Sequence, residues 1–109
     1  MKDFEIKLAG ELRRGVLQIA ALALMRNPTY GYQLIKDLAA RGLDTEEGTL
    51  YPILRRLEGH GLVSSEWRTE GPRPRKYYRI TKDGEATLGR LFTTWSVIRD
   101  ALADLEGPS

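Results

Sequence analysis

Cysteine is absent from this 109-residue chain, and histidine occurs once. The first absence rules out disulfides and thiolate metal sites, and it fits a reducing cytoplasm. The single histidine, His60, stands in Glu58-Gly59-His60-Gly61, a helix-end setting where the dipole favours a cation. One histidine without cysteine leaves no suitably spaced metal cluster or base–nucleophile pair, and no glycine-rich phosphate loop follows a strand-like segment. Neither catalysis nor a cofactor or metal is expected. Long apolar runs are also missing. The longest, Ile19 to Met25, falls far short of the roughly 20 residues a membrane-spanning helix needs, so no membrane partner is expected. Asp3 and Glu5 make the N-terminus unlike a secretion signal. Repeats, low-complexity tracts and linkers are lacking too. What is present, 41% hydrophobic and 29% charged residues, suits one globular domain.

Charge is unevenly placed. Residues 1–81 carry 14 Lys/Arg against 10 Asp/Glu, whereas residues 82–109 carry 3 against 5. The surplus is densest from Arg68 to Arg79, where Arg68, Arg73, Arg75, Lys76 and Arg79 face only Glu70. A basic arm on a nearly neutral protein suits a directed polyanion contact. A solvated charged loop fits the same residues.

Hydrophobic spacing predicts the elements. Leu8, Leu12, Val16, Ile19 and Ala23 recur at helical intervals, so Lys7 to Arg26 reads as a long helix that Asn27-Pro28 stops. Thr29 is placed to cap a second helix, Tyr30 to about Arg41, burying Leu34, Ile35 and Leu38, with Gly42 just past its end. Thr45 is the candidate cap of a third, whose Leu50, Ile53, Leu54 and Leu57 make one apolar stripe and which Gly59 and Gly61 end. Two extended segments follow, Leu62–Arg68 and Lys76–Ile80. The loop between them holds Pro72 and Pro74, which cannot continue a strand ladder. Thr81 then caps a last helix running to about Glu106. This order predicts a mostly α, α+β winged helix-turn-helix, with residues 1–81 as the DNA-binding domain and 82–109 as a C-terminal dimerisation helix in one compact unit.

With its stripe in the core, the third helix turns Gly48, Thr49, Tyr51, Pro52, Arg55 and Arg56 outward. The arginines suit phosphates or a bidentate contact to guanine, and threonine and tyrosine suit phosphate oxygens or a thymine methyl. Pro52 is costly deep in a helix, so it belongs near the first turn or marks a bend. An ordinary exposed face with two solvated arginines is the plainer reading. At the hairpin tip, Arg73, Arg75 and Lys76 can reach a minor groove or its flanking phosphates. Strand alternation sends Tyr77 and Tyr78 to opposite faces, one outward and one to the core with Ile80. A charged, proline-bearing hairpin that only resists edge aggregation is compatible with this.

Three segments, Tyr30-Gly31-Tyr32-Gln33-Leu34, Gly48 to Glu58 (GTLYPILRRLE) and Gly71 to Thr81 (GPRPRKYYRIT), together resemble the motifs of PadR-type regulators, in that family's order. The resemblance implies a homodimeric repressor whose third helix enters the major groove of an operator while its wing touches the flanking backbone. Tyr51 and Lys76 match family positions that meet DNA. Tyr30 and Tyr32 match tyrosines at the start of the second helix, where packing and phosphate contact are both open. With one helix after the wing, the chain is similar to the family's short branch. Because fold alone does not fix function, a protein-binding or RNA-binding winged helix is the rival reading.

The last helix points to a dimer by itself. Leu88, Trp95 and Leu102 are seven apart, as are Leu91, Ile98 and Leu105, and the two series interleave as a coiled-coil seam. The other possibility is a helix folded back on the first helix. Leu8, Leu12 and Phe92 are expected to join the seam. Trp95 is either core or a platform, and the resemblance implies that flat apolar effectors bind between such helices. Arg99, one turn on, would favour planar anionic or neutral aromatics.

Overall fold

The computed structural model describes residues 2–108. Its elements are α1 (Lys2–Leu24), β1 (Thr29–Tyr30), α2 (Gly31–Ala39), α3 (Glu47–Gly59), β2 (Val63–Arg68), β3 (Arg75–Ile80) and α4 (Lys82–Glu106). They form an α+β winged helix-turn-helix. Among the described residues, no helix is long and apolar enough to cross a membrane.

The core is built from the stripes expected of the helices. Leu50, Ile53, Leu54 and Leu57 of α3 are all buried, and they meet Leu34 and Leu38 of α2 and Leu17, Ala21 and Leu22 of α1. α2 and α3 end by one device. Gly42 (φ 79°) and Gly61 (φ 75°) turn left-handed, a conformation that costs glycine least. Each turn lets the next amide, of Leu43 or Leu62, bond back to Leu38 or Leu57, and packs those leucines against the core.

The caps are only partly as expected. Thr81 does cap α4: its hydroxyl accepts from the Gly84 amide at 3.0 Å and donates to the Gly61 carbonyl at 2.6 Å. Thr29 and Thr45 do not cap. Thr29 sits in β1, α2 starts at Gly31 with Tyr30 before it, α3 starts after Glu46, and both threonine hydroxyls are buried without a partner. Tertiary pairing explains Thr29. Thr29 and Tyr30 add to β3 opposite Tyr78 and Tyr77, so the expected two-stranded hairpin is a three-stranded antiparallel sheet in the order β1-β3-β2. Pro52 also lies deeper than expected, in the second turn of a helix that starts at Glu47, where it cannot donate to the Gly48 carbonyl.

The last helix divides in two. Leu88 is 0% exposed and belongs to the protomer's own core, so its assignment to an intermolecular seam is corrected. Leu91 is half-buried against that core. Beyond Trp95, Ile98, Leu102 and Leu105 are exposed, as are Phe4, Ile6, Leu8 and Leu12 on the first half of α1. The two long helices meet near their α1 C-terminal and α4 N-terminal ends, where Arg26 bonds Glu85 at 2.8 Å, and leave the opposite ends uncovered. That exposed ion pair adds little; Leu88 and Met25 beneath it carry the packing.

Candidate nucleic-acid interface

Strand register sorts the wing into two faces. Tyr77 opposes Glu66 and Arg75 opposes Arg68 on one face, which Tyr30 joins from β1; Tyr78 opposes Ser65 and Lys76 opposes Trp67 on the other. Two directly opposed arginines repel. Here each finds a ring: Arg68 lies 4.2 Å from the Tyr77 centroid and Arg75 lies 4.5 Å from that of Tyr30. Tyr30 and Tyr77 meet edge to face at 5.3 Å. Arg75 is thereby held in place without a carboxylate partner, whereas Arg68 also pairs with Glu66 at 3.3 Å.

The other face meets α3. Tyr78 is buried, and burial first, then the nearby Glu58 carboxylate, push its phenol above the usual tyrosine value, while Arg55 pulls the other way. Glu58 accepts from the Ser65 hydroxyl and stands 4.0 Å from the Lys76 ammonium, which also lies 5.6 Å over the Tyr78 ring. This network ties the third helix to the base of the wing.

Between the wing and the starts of α2 and α3 lies an open groove of about 790 Å³. Tyr30, Gly31, Tyr32, Glu47 and Tyr51 line its helical side; Trp67, Arg73, Pro74, Arg75, Lys76 and Tyr78 line the wing side. Gly31 is needed there, because a Cβ would overlap the Tyr51 ring and hydroxyl. The groove joins Tyr30, Tyr32, Tyr51, Arg73, Arg75 and Lys76 from the expected set. Tyr77 does not line it: it shares a sheet face with Tyr30 and Arg75 but borders a second, smaller recess with Arg68 and Arg79.

The rest of that set is elsewhere. Thr49 faces a recess shared with Arg13 and Arg14 of α1. Pro52 and Arg55 are exposed but outside the groove. Arg56 is exposed as the helix pattern suggested, outside the groove, and donates to the Gln18 side chain on α1. Sequence reasoning passed over Gly31, Glu47 and Trp67. Only Trp67 had a usable signal, since aligning the two strands about the proline loop puts it opposite Lys76.

The effector candidates separate too. Phe92 and Trp95 face an apolar groove of about 460 Å³ with Val16, Ile19, Ala20, Ala23, Leu24 and Arg41. Trp95 also borders a shallow recess with Arg99, Leu102 and Leu105. Leu8 and Leu12 line neither and stand exposed farther along α1. Trp95 is thus where the two hollows meet.

Residues 21–90 match the family described as "Transcriptional regulator PadR-like family". The chain belongs to that family. The PadR-like motifs thus cover the helix-turn-helix, the wing and the buried start of α4. The fold is similar to that of a PadR family regulator from Eggerthella lenta, with 42% identity and a TM-score of 0.88 over 99% of this chain and 96% of the other. A PadR-like transcription factor from Bacteroides fragilis is 36% identical, with a TM-score of 0.72 over 91% and 98% of the two chains. The transcriptional regulator Rv3488 of Mycobacterium tuberculosis is 44% identical over 62 residues, which are 57% of this chain and 58% of that protein's length. This PadR-like chain is therefore a transcriptional regulator.

Proposed function

We propose that this chain is a homodimeric, sequence-specific repressor that seats two α3 helices on a near-palindromic DNA operator and is released by a small aromatic or hydrophobic effector. The single observation that carries the DNA reading is the groove between wing and helices, where Arg73, Arg75 and Lys76 stand beside the tyrosines of α2 and α3. Phosphates need such cations, and tyrosine hydroxyls add neutral donors. The exposed apolar ends of α1 and α4 support the dimer, because side chains such as Leu12, Val97 and Leu105 are each more than 60% exposed in one protomer. The hollow beside Phe92 and Trp95 is of a size that suits a small ligand. On this reading, the protein works in the bacterial cytoplasm.

The decisive experiment is selection of genomic DNA fragments by the purified protein. Enriched fragments should carry two related half-sites about 34 Å apart or a related spacing, as two-fold symmetry demands. Equal competition by RNA would favour an RNA-binding winged helix instead. Arg73→Ala and Lys76→Ala should weaken all duplexes and each lower the salt slope by about one. Planar dyes that quench Trp95, and that Trp95→Ala no longer binds, would establish the effector site. Dye affinity unchanged in Trp95→Ala would make that residue core only.

A further inference from the structure

The exposed large apolar side chains of the described residues fall into two groups. Phe4, Ile6, Leu8 and Leu12 lie on α1 and Phe92, Val97, Ile98, Leu102 and Leu105 on α4, the surfaces a second copy would cover; only Tyr32 and Trp67 lie elsewhere. Both of these line the wing groove. An isolated exposed aromatic needs no special account. Two that flank one cationic groove on a protein with buried apolar stripes are a different matter.

The strand pattern shows why Trp67 is uncovered. Val63, Ser65 and Trp67 share one face of β2. Val63 is buried, Ser65 is half-buried against Glu58 of α3, and Trp67, two residues farther out, is 66% exposed. The face that packs on α3 at the base of the wing thus continues outward with none of the described residues packed over it. Opposite Trp67 is Lys76, and Arg73, Pro74 and Arg75 complete its surroundings.

Resting on the DNA reading above, we propose that Trp67 is a DNA-contacting residue whose indole packs on the apolar deoxyribose edge of the strand that the wing cations hold. A nucleic-acid backbone alternates anionic phosphate with apolar sugar. A groove lined by Arg73, Arg75 and Lys76 together with Trp67 and Tyr32 offers groups complementary to both parts. The contact is non-ionic, so it differs measurably from those of its neighbours: it adds affinity without releasing counterions.

The test uses the full chain, a random-sequence duplex pool and a salt series. Trp67→Ala should bind about tenfold more weakly at every salt concentration, with an unchanged slope of log affinity against log salt, and Trp67→Phe should retain most of the affinity. In the unmodified protein, saturating duplex should shield from acrylamide the part of the tryptophan emission that Trp67→Phe lacks. This arm keeps the native side chain, so it decides the matter even if Trp67→Ala fails to fold. Emission equally accessible with and without duplex overturns the proposal. So does shielding already present without DNA, which would mean a protein segment covers the indole. So does a Trp67→Ala variant that folds and binds like the unmodified chain. An unmodified chain that binds no duplex at all overturns the DNA reading itself, and this contact with it.

Discussion

The Arg75 guanidinium lies 4.5 Å from the centre of the Tyr30 ring, joining the wing to the residue that opens α2. Tyr30 continues to Tyr77 edge to face, and Tyr77 to Arg68, so four side chains tie the sheet edge to the hairpin. Tyr30→Leu should cost about 1–2 kcal/mol in denaturant unfolding through the lost ring contacts. A double-mutant cycle with Arg75→Met should return a coupling of roughly 0.5–1 kcal/mol. A coupling near zero would mean the two groups are only adjacent.

Gly31 and Tyr51 make a second junction, between α2 and α3. Gly31→Ala forces the Tyr51 ring to move and should lower stability by about 1–3 kcal/mol, as overpacking does. Adding Tyr51→Ala should relieve the overlap and raise the melting temperature again while leaving duplex binding impaired. If the double variant melts lower still, the overlap is not the cause.

The two halves of α4 should respond oppositely to substitution. Leu88 is buried in the protomer, so Leu88→Ala should cost about 2–5 kcal/mol of stability. Ile98 is 44% exposed in the protomer. Ile98→Asp should leave the helical circular dichroism intact and shift light scattering to the monomer mass, because the charge would be buried only in a dimer. An unmodified chain that scatters as a monomer at micromolar concentration would sink the proposed dimer.

Tyr78 sets a limit at high pH. Its folded-state value is raised above the ordinary 10.0, first by burial and then by Glu58. The neutral phenol therefore contributes its full stabilisation below about pH 10, and this is lost as pH rises through the raised value. Unfolding free energy should turn down above pH 10, and Tyr78→Phe should make that decline shallower. A decline identical in Tyr78→Phe would assign it to other groups.

Local information determined the helices and the wing because each rests on short-range chemistry. A stripe at i, i+3, i+4 and i+7 buries one face of α3 wherever the helix docks, and Thr81 caps α4 within its own turn, whereas α1 ends at Leu24, before the Asn27-Pro28 pair expected to stop it. Tyr30 entered through the motif resemblance alone, and Tyr51 and Lys76 through that resemblance together with their places on the outward helix face and the basic arm. Partners distant in sequence decided the rest. Thr29 is a good cap by type, yet pairing with Tyr78 made it a strand residue. Arg56 is outward by helical spacing and is exposed, but its partner Gln18 on α1, 38 residues earlier, could not be read from that spacing. The heptads of α4 run unbroken through Leu88, but only packing could say that its first turns belong to this protomer's core and its last turns stand free. Periodicity states which face of a helix is apolar; what covers that face is set by contacts that close over long loops, and these only the tertiary structure supplies.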